Sequence, residues 1–135
     1  GRLLRALELD PNHGDARVNL ALLLRKEGKA EDARAEILRA LEDPRSRKSA
    51  LLQAGIEEIE AGRPREALAY LDEARAAGVR DPMLWNATGE CYRKLGRPRE
   101  AIGAWEESLR IDPSQGEVRA AIDTVRSAGP SRAPR

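Results

Sequence analysis

Apolar residues along the chain recur at helical spacing, in two kinds of segment that alternate. One kind is marked by Val18, Leu20, Leu23 and Leu24, and again by Leu84, Trp85, Thr88, Tyr92 and Leu95. Each such segment runs into a glycine. The second kind follows the glycine and carries Ala33, Ile37, Ala40 and Leu41, then Ala67, Leu71 and Ala74, then Ala101, Trp105 and Leu109. Steps of three and four place each set on one face of an amphipathic helix. Alternation of the kind that builds strands never extends beyond a few residues. The pattern predicts an all-α protein made of helix pairs.

The pattern is also periodic. The segment GRPREA occurs at 62–67 and, identical, at 96–101, and GKAEDA stands at 28–33. Gly28, Gly62 and Gly96 are each 34 residues apart, as are Ala33, Ala67 and Ala101, and Pro11 and Pro113 stand three periods apart. A fixed period of this length marks an array of repeated helical units. Local signals agree with it. Glycine adopts a left-handed backbone without steric cost and so suits the end of the first helix. Pro64 and Pro98 follow at the first position of the next helix, where the missing N–H would be unpaired anyway. Glu31, Asp32, Glu66 and Glu100 crowd that first turn, which the helix dipole favours. Asp-Pro pairs at 10–11, 43–44, 81–82 and 112–113 separate the units.

A 34-residue helix–turn–helix unit with these residues resembles the tetratricopeptide repeat (TPR). The third unit carries the resemblance most fully, through Trp85, Thr88, Gly89, Tyr92, Gly96, Ala101, Trp105, Ser108 and Pro113. The first unit aligns through Leu20, Ala21, Leu24, Gly28, Ala33, Ile37 and Ala40, with Arg17 where the family favours Trp. The second aligns through Leu51, Ala54, Gly55, Gly62, Ala67, Leu71 and Ala74, with Glu58 in place of an aromatic and Val79 in place of the terminal proline. The resemblance implies an α-solenoid with three full repeats at 12–47, 48–81 and 82–115. Residues 1–11 then read as the second helix of a truncated preceding repeat, 116–127 as a C-terminal capping helix, and 128–135 as a disordered tail. Small residues at Gly55, Gly89, Ala33, Ala67 and Ala101 are expected to let helices approach closely, and Trp85 is expected in the core.

Composition narrows the chemistry. Among 135 residues, 24 Lys and Arg face 23 Asp and Glu, for a net charge of +1. A nucleic-acid partner calls for a basic excess, which the chain lacks. No apolar run is long enough for a membrane span. No stretch has the order of a signal peptide, and no compartment follows from that. Abundant Arg, Ala, Gly and Pro fit a GC-rich, bacterial coding sequence. His13, the one histidine, sits in a loop and cannot build a metal site or a triad alone. Cys91, the one cysteine, reads as a buried structural thiol. The run Glu57, Glu58, Glu60 reads as a solvated helix face. The glycines are a full period apart and form no phosphate loop. Neither catalysis, nor a cofactor, nor a metal is expected.

Function is therefore sought in the groove that the resemblance implies. The first helix of each unit would line a concave face holding a peptide or helix of a partner protein. The residues placed there are Val18, Asn19, Leu22 and Arg25, then Leu52, Gln53, Ile56 and Ile59, then Met83, Asn86, Glu90 and Arg93. The apolar members form a strip that either grips a ligand or packs between units. Some members of the family clamp a terminal carboxylate with Lys and Asn. Val18, Leu22, Gln53, Met83 and Ala87 occupy those places here, so that clamp is missing. Two alternatives stand beside the binding module. One is a structural segment that self-associates through its N-terminal end, where Leu3, Leu4, Leu7 and Leu9 would lack a neighbour. The other is a C-terminal appendage of a larger enzyme.

Overall fold

The computed structural model describes residues 14–128. Among them are seven α-helices and no strand: α1 (Gly14–Lys26), α2 (Ala30–Glu42), α3 (Arg47–Glu60), α4 (Pro64–Ala76), α5 (Pro82–Lys94), α6 (Pro98–Ile111) and α7 (Gly116–Ser127). The preceding helix, the loop histidine and most of the expected tail lie outside the described residues. The all-α class read from periodicity and the solenoid implied by the resemblance are what forms.

The helices end where the sequence places its glycines. Gly28, Gly62 and Gly96 have φ of +80°, +78° and +72°. In each case the following amide closes the turn: Lys29, Arg63 and Arg97 donate to the carbonyls of Leu24, Glu58 and Tyr92 at 2.8, 2.8 and 2.9 Å. These bonds satisfy carbonyls that the helix leaves open, and they reverse the chain within two residues. Pro64, Pro82 and Pro98 open the next helices. Asp81 caps α5 by accepting the Met83 N–H at 2.9 Å.

Short turns force successive helices to lie antiparallel, so α1 packs on α2, α3 on α4 and α5 on α6. Consecutive pairs join through α2 and α3, α4 and α5, and α6 and α7. The odd helices α1, α3 and α5 also touch one another in series, whereas the even helices make no comparable contact. Packing that is closer on one side than the other curves the stack. The odd helices therefore form the inner, concave layer and the even helices the outer one.

Small residues set the spacing within each pair. A Cβ on Gly55 would lie 2.7 Å from Leu71 Cδ2, and one on Gly89 would fall inside the Trp105 indole. Leu71 and Trp105 fill the space that these glycines leave, and both are buried. One core cluster runs from Val18 to Cys91, and a second joins Ala101 and Trp105 to Val118 and Ile122 of α7. The exposed side of α7 carries Glu117, Arg119, Asp123 and Arg126, a polar end to the stack.

Two expectations are corrected. Trp85 is only half-buried, and Trp105 is the indole of the core. Leu51, one period before Trp85, is small enough to be covered completely. The larger Trp85 ring reaches the lip between α4 and α6, where the Arg75 guanidinium lies 5.8 Å from its centroid. The acidic run is a solvated face only in part: Glu60 is exposed and Glu57 half-buried. Glu58 is buried, with Arg34 at 3.3 Å and Arg63 at 3.5 Å, because it occupies the inward position that Tyr92 holds one period later. Cys91 is enclosed as expected, and burial pushes its thiol up to about 11. Only the thiolate is a nucleophile. Iodoacetamide at neutral pH should leave the folded protein unlabelled and modify Cys91 once urea unfolds it. Rapid labelling of the native state, followed by mass spectrometry, would contradict that enclosure.

Candidate partner-binding groove

The inner layer brings α1, α3 and α5 side by side, but it divides the twelve sequence-predicted positions by depth. Val18 and Leu52 belong to the core and present nothing to a ligand. For these two the packing alternative holds, because each helix turns that position toward its neighbour. Ile56 and Ile59 are half-buried against the core. Leu22 and Met83 are exposed by 39% and 48%, and Leu23 beside Leu22 by 45%. Leu22 and Met83 stand on α1 and α5, the helices on either side of α3.

The polar positions are largely engaged with one another. Arg25 on α1 donates to Glu60 on α3, which bridges adjacent inner helices. Arg93 pairs with Glu90 one turn away on α5. That hydrogen bond raises the Arg93 pKa and fixes the cation at its own helix. Asn86 Nδ2 donates to Gln115 Oε1 at 2.8 Å, while its Oδ1 is buried with no hydrogen-bond partner. Gln115 in turn donates to Ser108 Oγ at 2.9 Å and to the Asp112 carbonyl at 3.0 Å. Asn86 thus ties α5 to the start of α7, a structural use of a residue placed among ligand contacts. Asn19 is exposed and Gln53 half-exposed, leaving two polar groups beside the apolar positions.

Sequence reasoning did not select Gln115 or Glu57 for this face. Glu57 is half-buried where α3 meets the α1–α2 turn, in a cleft shared with Arg25, Arg34 and Glu60. Burial raises its carboxyl pKa against the pull of Arg25 and Arg34. The only sequence signal was the acidic run Glu57, Glu58, Glu60, interrupted by Ile59, which spacing alone assigns to solvent. No group of three or more His, Cys, Asp or Glu among the described residues is placed to hold a metal ion. No helix among them is long and apolar enough to cross a membrane.

Comparison with known proteins fits this geometry. Two profiles described as tetratricopeptide repeat match the chain, one over residues 52–116 and one over 3–35. Among solved structures, one from the functional characterization of Pseudomonas aeruginosa pilF is 26% identical with a TM-score of 0.83, covering 93% of this chain and 58% of that one. YrrB, a TPR protein with an unusual peptide-binding site, is 23% identical with a TM-score of 0.82, covering 95% of this chain and 66% of its own. The human IFIT1 dimer with m7Gppp-AAAA is 22% identical with a TM-score of 0.80, covering 93% of this chain and 32% of its own. The chain spans less than two thirds of the first two. Repeat period, left-handed glycine turns, curved helix pairs and profile matches lead to one assignment: the chain belongs to the tetratricopeptide repeat family.

Proposed function

We propose that the protein is a non-catalytic interaction module, built of the repeats 12–47, 48–81 and 82–115, whose concave face binds a peptide or helix of a partner protein. One observation carries the reading: Leu22 and Met83 stay exposed on inner helices either side of half-buried Ile56 and Ile59. Large apolar side chains left open in a concavity, beside uncommitted Asn19 and Gln53, are what a ligand's apolar residues and backbone need. YrrB, of similar fold, is a TPR protein with a peptide-binding site, which supports the same use here. The IFIT1 structure contains m7Gppp-AAAA. A nucleic acid suits this groove poorly, because Arg25 and Arg93 are already neutralised by Glu60 and Glu90 and the net charge is only +1.

The test selects peptides from a random displayed library on the wild-type protein. Selected peptides should be rich in apolar residues. Leu22→Asp combined with Met83→Asp should weaken them by about tenfold or more, as loss of an apolar anchor does. Both side chains are exposed, so circular dichroism should show unchanged helicity. Peptides that bind the double variant as well as wild type would place the site elsewhere.

A further inference from the structure

The charges on the concave face do not cancel. Arg25 is taken up by Glu60 across the α1–α3 contact, and Arg93 holds both oxygens of Glu90 on α5. Two further cations share that face. Lys26 lies one turn beyond Leu22, and Lys94 three turns beyond Met83. At about 100° per residue, Lys26 is turned about 40° from exposed Leu22 around its helix, and Lys94 about 20° from exposed Met83. Both lysines are exposed, and among the described residues neither has an ion pair or a hydrogen bond. Lys48 of α3 turns away from them, its Nζ 3.8 Å from where a Cβ of Gly78 would stand. The described carboxylates of the face, Glu60 and Glu90, are both engaged, so two ammonium groups stand uncompensated.

The occupant that suits them brings negative charge to two places and apolar contact between. α3 separates α1 from α5, and packed helices lie about 8–10 Å apart, so the two lysine rows are about 16–20 Å apart. An extended chain rises about 3.3 Å per residue, which sets carboxylates about six residues apart in register with both lysines. A helical ligand bonds its own backbone internally and leaves nothing for the amides of Asn19 and Gln53, whereas an extended one needs them. A single-stranded nucleic acid is also negative, but it is held by stacking on aromatic side chains. α1 and α3 contain none, and Trp85 and Tyr92 of α5 face α4 and α6 instead. Residues 128–135 of the chain itself carry Arg132 and Arg135 and no acid, which repels them from this face.

We propose that the concave face selects an acidic, extended segment of a partner protein, with one carboxylate for Lys26, another for Lys94, and apolar side chains between. This selectivity rests on the concave face being the binding surface and adds the sign of its ligand. The probe is a fluorescein-labelled peptide in which two glutamates enclose Leu-Ala-Leu-Ala-Leu, flanked by glycines, read by anisotropy against its glutamine and lysine counterparts. Wild type should bind the glutamate peptide about tenfold more tightly than the glutamine one at low salt, as two exposed ion pairs allow. The difference should fade at about 0.5 M salt, and the lysine peptide should bind worst. Lys26→Gln with Lys94→Gln should erase the preference and leave the glutamine peptide unaffected. Lys26→Glu with Lys94→Glu should transfer it to the lysine peptide. Both positions are exposed, so circular dichroism should be unchanged. Leu22→Asp with Met83→Asp should weaken all three peptides, which reports on the groove separately. Equal binding of the three peptides by wild type would keep the groove and overturn the charge selection. A preference that survives Lys26→Gln with Lys94→Gln overturns it as well, as does no saturable binding of the glutamate peptide at millimolar concentration. Tighter binding of an oligothymidylate through the same lysines would assign them to phosphate and overturn it too.

Discussion

Trp105→Ala is expected to cost about 3–5 kcal/mol in urea denaturation, the range for truncating a large buried aromatic. The indole is 4% exposed and joins Ala101 to Val118 and Ile122, so its loss empties the layer that docks α7. The same residue fixes the sign of a second change. Gly89→Ala should destabilise the wild type by about 1–3 kcal/mol, because a methyl there falls inside the indole. In the Trp105→Ala background the conflict is gone. Alanine should then be neutral or stabilising, with a helix-propensity gain of up to about 1 kcal/mol. A double-mutant cycle should therefore show strong coupling between positions 89 and 105. A Trp105→Ala loss below about 1 kcal/mol, outside the range for buried aromatics, would mean that α7 is held by other contacts.

The buried carboxylate of Glu58 gives the second large effect. Its side chain is 10% exposed, while Arg34 and Arg63 are 41% and 50% exposed. The asymmetry decides which partner is costly to remove. Without Glu58 the arginines remain solvated, whereas Glu58 without them is a desolvated charge. Arg34→Ala combined with Arg63→Ala should cost about 2–3 kcal/mol, more than any exposed ion pair provides. Glu58→Tyr should be tolerated or stabilising. Arg97 lies 5.4 Å from the Tyr92 ring at the matching place in the next unit, and Arg63 is positioned to do the same. A double-arginine loss of about 0.5 kcal/mol, as for a surface pair, would show that Glu58 is hydrated after all.

Much of the fold was legible because its determinants are local and periodic. Left-handed turns at Gly28, Gly62 and Gly96 follow from backbone sterics, and helix starts at Pro64 and Pro98 from a missing N–H. The close approach at Gly89 was legible too, since only a residue without a side chain tolerates a helix at that distance. The groove was legible as a surface but not residue by residue. Val18 and Leu22 lie on one helix a turn apart, yet Val18 is core and Leu22 is open. Helical periodicity gives a direction to each side chain and says nothing of how far the neighbouring helix extends to cover it. Asn86 is similar: its polar character suggested a ligand contact, and its bond to Gln115 depends on a residue 29 positions away.

The sequence by itself determined the repeat, the all-α class, the glycine turns, the proline helix starts and the near-zero net charge. These depend on dihedral preference, spacing and composition, which a single strand of residues carries. The tertiary structure alone decided which tryptophan is core, that Glu58 is buried between two arginines, and which groove residues remain open. Each of these depends on the gap between helices from different units, a distance set by the side chains of both and written in neither alone.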